Sequence, residues 1–228
     1  EQAHVMTQVI SENRFESLLE LGFRHGVSTC YMAAALHEMG RGHVVTVDLE
    51  SAKTAAPNVE ELLAELGLAE FVTVFYEPTS YVWRLMRLLE EDATPRFDFC
   101  YIDGAHDWAT DGFAFFLVDR LLKPGGMVVF DDLEWTYAGS PALRHSAKVR
   151  EMPDDEKNAR QVRKVYELLV RTHPAYGEFH VRGDWAFARK LAGGLTAIGD
   201  EVRREVVYEK EYLGLGGALL KLSRKLIR

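Results

Sequence analysis

Cysteine is nearly missing: Cys30 and Cys100 are the two among 228 residues. The first falls in a predicted helix and the second in a predicted buried strand. Both read as small core residues rather than a disulfide, as expected in a reducing compartment, and neither has metal-ligand spacing. No apolar run approaches the ~20 residues needed to span a bilayer. No secretory leader is legible in the opening residues, and the expected location is the cytoplasm. An excess of basic residues is missing too: 27 Lys and Arg stand against 35 Asp and Glu, a formal net charge of -8. Nucleic-acid binding needs a basic surface to displace counterions, so no nucleic-acid partner is expected. There is no internal repeat and no low-complexity stretch. A G-x-G-x-x-G loop is also lacking, because Arg24 stands where its second glycine belongs, which speaks against dinucleotide binding.

What remains is an ordinary globular composition, 47% hydrophobic and 27% charged, in a chain long enough for one substantial α/β domain. Apolar strand-like runs alternate with helical patterns. Residues 3–12 read as a helix, 15–21 as the first strand, 29–39 as a helix stopped by Gly40, and 43–47 as a strand ending at Asp48. Pro57 and Asn58 open the next helix, which stops at Gly67; 71–75 is strand-like, and Pro78, Thr79 and Ser80 start the helix Tyr81–Glu91. Then come the strand Phe97–Ile102, a helix over 108–122, a Lys123-Pro124-Gly125-Gly126 turn and the strand 127–130. Such alternation with short connections implies a parallel sheet with helices on both faces. Residues 133–152 break the pattern and read as an insertion or lid. A helix follows over 154–171, where Val162, Val165, Leu168 and Leu169 recur at three- and four-residue spacing. The strands 178–181 and 185–190, joined through Gly183-Asp184, read as a closing hairpin.

The stretch 97–132 organises the rest. Its two buried strands end in acid, Asp103 after the first and Asp131-Asp132 after the second. Both strands deliver carboxylates to the sheet edge where open α/β folds bind ligands. Three dry, unpaired carboxylates would repel one another. A hard divalent cation resolves this, and Mg2+ prefers such oxygen ligands; the alternative is that the acids cap helices or pair with nearby Arg or Lys. His106, three residues past Asp103, titrates near neutrality and is a candidate base, or else a structural histidine that orients an acid. Upstream, Glu20, Gly22, Gly26 and Ser28 surround a glycine-containing turn at a helix start, which suits close approach of a ligand or simply tight packing. Asp48 at the end of the second strand suits the two hydroxyls of a ribose. Glu77, after the third strand, is a candidate contact to an adenine ring. Trp108, Trp135, Tyr137, Arg144 and His145 are candidate walls of an acceptor pocket, and His25 a neighbour of the cofactor.

Taken together, LLELGFRHGVSTCYMAAAL, the acid in VVTVDLE, and YIDGAHDWATDGFAFFLVDRLLKPGGMVVFDD resemble the class I S-adenosylmethionine-dependent methyltransferases over roughly residues 15–132. The resemblance is to the branch of catechol-type and metal-dependent sugar O-methyltransferases. It implies a Rossmann-like three-layer sandwich around a mostly parallel seven-stranded sheet with an antiparallel last strand. It also implies that Glu20, Gly22, Gly26 and Ser28 hold the methionine part of S-adenosylmethionine and Asp48 its ribose, with Glu77 and Asp103 also on the cofactor. Asp103, Asp131 and Asp132 are then the Mg2+ ligands, and His106, with Asp103, the catalytic pair. Asp132 stands where the catechol enzymes usually carry Asn, which leans the acceptor towards a sugar. The implied activity is methyl transfer to a hydroxyl of a small-molecule or glycan acceptor. The alternatives are a metal-independent methyltransferase of the same fold and a non-catalytic cofactor-binding scaffold. No Asn/Asp-Pro-Pro-aromatic motif follows the fourth strand, against amino methylation of nucleic-acid bases.

The expected organisation is a methyltransferase domain over 1–192, with the lid at 133–152, and a helical tail over 193–228. In the tail, Leu215, Leu219, Leu222 and Leu226 share one helical face and Lys221, Arg224, Lys225 and Arg228 the other. Such a helix suits peripheral membrane contact through 213–228, an oligomer contact within a homo-oligomer, or a frayed end.

Overall fold

The computed structural model describes residues 2–192, and the expected helical tail over 193–228 lies outside the described residues. The elements in order are α1 (Gln2–Asn13), β1 (Ser17–Leu21), α2 (Val27–Met39), β2 (His43–Leu49), a 3-10 turn (Glu50–Thr54), α3 (Val59–Leu66), a second 3-10 turn (Ala69–Phe71), β3 (Val72–Glu77), α4 (Tyr81–Glu91), β4 (Phe97–Ile102), α5 (Trp108–Leu121) and β5 (Leu122–Phe130). Three short helices follow, α6 (Ala147–Glu151), α7 (Asp154–Lys157) and α8 (Gln161–Val165), the last running into a π turn (Tyr166–Val170). The hairpin β6 (Tyr176–Arg182) and β7 (Trp185–Lys190) closes the domain. Among the described residues no helix is long and apolar enough to cross a membrane.

The sheet has seven strands in the order β3-β2-β1-β4-β5-β7-β6. β1 to β5 pair in parallel, and β7 runs antiparallel to both β5 and β6. The mostly parallel seven-stranded sheet with an antiparallel last strand is therefore present. Side chains alternate across it. Leu19, Leu21, Cys100, Ile102, Val128 and Phe130 face α4, α5 and α8, while Leu18, Phe99, Tyr101, Met127 and Val129 face α1 and α2. Both faces are covered, so the strands read as nearly continuous apolar runs. A fully buried side chain such as Phe115 or Phe130 contributes about 2–3 kcal/mol of burial.

The chain reverses its direction of travel across the sheet between β1 and β4, which are neighbours. That switch point opens a crevice at their carboxyl ends. Three helix starts stand around it, each capped by its own side chain: Asn58 in a full capping box for α3, Ser80 for α4 and Asp107 for α5.

Several expectations are corrected. Lys123-Pro124-Gly125-Gly126 is not a turn between helix and strand; it lies within β5, which starts directly after α5. The register with β4 slips between Phe97 and Phe99, a bulge that absorbs the extra residues. Gly126 is required there, because a Cβ would sit 2.9 Å from the carbonyl oxygens of Asp98 and Lys123. The helix expected over 154–171 is broken at Asn158-Ala159-Arg160. The break lets the buried Gln161 turn inward, where its Oε1 accepts from Trp108 N–H at 2.8 Å and its Nε2 donates to the Glu156 carbonyl at 3.2 Å. The first strand starts at Ser17 rather than Phe15, and the Glu16 and Ser17 amides both donate to the Asp98 carboxylate. β3 runs on to Glu77, which is therefore inside a strand and not after one.

Candidate active site

The crevice is a cleft of about 920 Å3, with Asp48 towards one end and His106, Asp132 and Lys148 towards the other, and Gly22 packed against Asp103 where the two meet. The chain leaves β1 at Gly22, whose φ of 91° lies in the left-handed region. Phe23 and Arg24 follow, and both give their N–H groups to Asp48 Oδ2, at 2.8 and 2.6 Å. Asp48 Oδ1 accepts from Leu49 N–H at 2.6 Å. Asp48 thus pins the loop while its carboxylate lines the cleft. Arg24 has φ 47°, so the position lacking a glycine still adopts a glycine-like backbone.

Glu20 is fully buried on the α2 side of β1 and does not reach the cleft. It accepts from Ser28 Oγ, from Thr29 Oγ1 at 2.5 Å and from Thr46 Oγ1 at 2.6 Å. Burial pushes its carboxyl up to about 7, against the three hydroxyl bonds that lower it, and the Asp103 charge adds to the rise. The folded state therefore prefers the proton. This stabilisation is complete below the ordinary value of 4.5 and is lost as pH rises through about 7. A rise of that size corresponds to about 2–3 kcal/mol between pH 5 and pH 8. Thermal unfolding at pH 5 and pH 8 checks it: the wild type is expected to lose stability across that window, and Glu20→Gln to lose about 2–3 kcal/mol less. Equal losses in the two proteins would refute the assignment.

Ser28, its hydroxyl committed to Glu20, faces a smaller cavity of about 290 Å3 with Asp103 and Asp131. Gly26 (φ 88°) starts α2 and lies against Val59, whose Cγ2 would stand 2.4 Å from an added Cβ; its role is close packing on α3. Glu77 is buried and paired with Arg84, so the third strand brings Thr79 and Ser80 to the cleft in its place. His25 lines the cleft and holds the Pro57 carbonyl through Nδ1 at 2.9 Å.

At the other end, three ligand-type atoms of Asp103, His106 and Asp132 lie within 4.8 Å of one another. His106 Nε2 stands 3.3 Å from Asp103 Oδ1 and 3.0 Å from Asp132 Oδ2. Both His106 (φ 55°) and Asp132 (φ 57°) occupy the left-handed region, which is uncommon for residues other than glycine. Burial pushes Asp103 up to about 6, helped by Asp131 and Asp132 and opposed by His106. Burial alone would lower His106, but its bonds and charges to Asp103 and Asp132 raise it to about 10. In this arrangement His106 is a cation that bridges two acids. Its ring stacks on Trp135 at 5.0 Å, and Trp135 meets Tyr137 edge-on at 4.7 Å.

Asp131 shares the smaller cavity with Asp103. It is buried, accepts from the Tyr101 hydroxyl and from Asp132 N–H at 2.6 Å, and burial raises its carboxyl. The structure places His106 between Asp103 and Asp132, and the Tyr101 hydroxyl between Asp131 and Asp103, 3.5 Å from Asp103 Oδ2. Side chains two apart share a face, so Asp103 and Asp131 both continue the Tyr101 and Val129 face, and Asp132, at positive φ, reaches His106 instead.

Two carboxylates and an imidazole, partly exposed to a cleft, fit a divalent cation. An all-oxygen site for Mg2+ uses Asp103, Asp132 and water and leaves His106 free. Inclusion of the imidazole suits a transition metal but removes the nitrogen from proton transfer. Beside the cleft is a second cavity of about 530 Å3, walled by Trp108, Tyr137, Met152 and Leu168 and sharing Asp107 and Lys148 with the first. Arg144 pairs with His145 at the surface, and neither lines these two cavities. Lys148, which no sequence pattern singled out, reaches both.

Residues 19–133 match the family model described as "Methyltransferase domain". A protein of Niastella koreensis named catechol O-methyltransferase is 33% identical over 118 residues, 52% of this chain and 49% of that protein. The chain thus matches about half the length of that curated relative. Among solved structures, the O-methyltransferase TomG from Streptomyces achromogenes, in complex with SAM, superposes with a TM-score of 0.59 at 22% identity, covering 83% of this chain and 79% of that one. An O-methyltransferase from Bacillus cereus in complex with SAH gives 0.59 at 20% identity, covering 83% and 80%. Both show likeness of fold.

Proposed function

The chain belongs to the methyltransferase-domain family, and from that premise we propose that it is an S-adenosylmethionine-dependent O-methyltransferase acting on a hydroxyl of a small-molecule or sugar acceptor. The observation that carries this is the convergence of Asp103, His106 and Asp132 across one crevice from Asp48. The catalytic domain is read as 1–192, with 133–152 covering the reacting end through Trp135, Tyr137 and Lys148.

Asp48 receives the ribose, the Gly22 turn lies against the cofactor, and Ser28 and Asp103 border the cavity suited to its methionine part. Glu20 and Glu77 act from behind, through α2 and Arg84. Asp103 and Asp132 would hold Mg2+, which supplies positive charge that lowers the pKa of an acceptor hydroxyl. His106 Nε2, relieved of the two carboxylates, takes the hydroxyl proton. The acceptor oxygen then bonds to the methyl carbon as the carbon–sulfur bond breaks, leaving S-adenosylhomocysteine. Trp135 keeps the imidazole in plane, and the rest of the catalysis is the positioning of two reactants.

The test is methyl transfer to a panel of sugars and polyhydroxylated aromatics, before and after chelation. Removal of divalent metal is expected to lower kcat at least about a hundredfold, restored by Mg2+. Full turnover in EDTA, with bound metal excluded by elemental analysis, would establish the second reading. That reading is favoured by one fact: His106 by itself already pairs with both acids.

A further inference from the structure

We propose that Tyr81 and Asp111 are positioning residues for this reaction, forming a buried strut that fixes the Gly104-Ala105 link between Asp103 and His106. The inference rests on the reading of those two residues given above. Tyr81 is the first residue of α4 and Asp111 lies in the first turn of α5. They are 5% and 1% exposed. The Tyr81 hydroxyl donates to Asp111 Oδ1 and accepts from Ala105 N–H at 3.2 Å. The same ring packs against Gly104 so closely that a Cβ there would stand 2.3 Å from Tyr81 Cε1.

Three consecutive residues are thereby determined. Gly104 lies against the ring, Ala105 is tied to its hydroxyl, and His106 is left in the left-handed region at φ 55°. A non-glycine residue adopts that conformation uncommonly, and the two tethers just before His106 favour it there. Helix packing does not explain the acid. α5 is otherwise apolar on this side, with Ala114, Phe115 and Val118 in the core, and a carboxyl buried there needs its hydrogen bond. α4 and α5 could pack without any polar group between them. What the pair adds is a fixed point for the loop that carries the base.

Tyr81→Phe keeps the ring and removes both hydrogen bonds. It is expected to lower kcat about 10- to 100-fold, to leave the affinity for S-adenosylhomocysteine within about threefold by calorimetry, since the ring that lines the cleft is kept, and to speed amide exchange at Ala105 and His106. Asp111→Ala should match it, and Asp111→Asn, whose amide oxygen still accepts the tyrosine hydrogen, should recover most of the lost rate. A Tyr81→Phe enzyme with wild-type kcat overturns the proposal. Exchange is read on the free protein, so it rules on the strut even if the wild type methylates no acceptor: unchanged protection at Ala105 overturns the strut, whereas absent turnover in the wild type counts against the functional reading alone.

Discussion

Asp103→Asn is expected to lower kcat by about a thousandfold or more, and Asp132→Asn by a similar factor, the scale on which removal of one preorganised charged group from a reacting centre is felt. Asp131→Asn is expected to cost less than about tenfold. The contrast follows from geometry. Asp103 and Asp132 both approach His106, at 3.3 and 3.0 Å, while Asp131 is turned onto the Tyr101 hydroxyl. An asparagine at 131 can still accept that hydrogen bond. An asparagine at 103 or 132 removes a charge from both the cation site and the histidine. S-adenosylhomocysteine affinity, measured alongside kcat, separates loss of chemistry from loss of fold. A dead Asp131→Asn enzyme beside an active Asp132→Asn enzyme would place the essential charge on Asp103 and Asp131 and reject the histidine-centred site.

The sheet, its helices and the edge carrying the site were legible in the sequence because each rests on a local pattern. Apart from Asp98, Phe97–Ile102 is apolar; Asn58 and Ser80 are capping residues before apolar periods; Asp48 stands one residue before the end of β2, and Asp103 and Asp132 follow strands. What escaped depends on contacts distant in sequence or on a change of backbone conformation. Glu20 sits on the buried face of β1, and its partners Ser28, Thr29 and Thr46 come from α2 and β2. Glu77 looked like a strand-end acid, but β3 extends through it and Arg84 holds it. Asp111 carried a faint signal, a single acid amid WATDGFAFF, yet its partner Tyr81 is thirty positions away. The break at 158–160 answers to a buried Gln161 bonded to Trp108, which no helical period records.

The close approach of β1 and β4 also predicts that Gly22 is the least replaceable residue of the cleft. Gly22 N–H donates to the Val47 carbonyl at 2.8 Å, and Asp103 N–H to the Leu21 carbonyl at 2.9 Å. The first ties the end of β1 to β2 and the second ties the end of β4 to β1, so tightly that a Cβ on Gly22 would lie 2.1 Å from the Asp103 carbonyl oxygen and 2.6 Å from Gly104 Cα. Every obstructing atom is backbone, so no rotamer relieves the overlap. Gly22→Ala is therefore expected to cost about 1 kcal/mol for its φ of 91° and about 1–3 kcal/mol more for overpacking. At about 2–4 °C per kcal/mol, the unfolding midpoint should fall by roughly 10 °C. Because the overlap displaces Asp103 and the loop pinned by Asp48, S-adenosylhomocysteine affinity should drop at least about a hundredfold, the worth of roughly two lost hydrogen bonds. Gly67→Ala is the internal control. Its φ is also positive, at 69°, but nothing lies within 4 Å of the added Cβ, so it should lose only about 1 kcal/mol and no affinity. If the two variants behave alike, the left-handed backbone accounts for the whole effect and the packing of Gly22 against Asp103 for none of it. If Gly22→Ala alone loses cofactor binding, the crossing of β1 and β4 is what holds the two halves of the site in register.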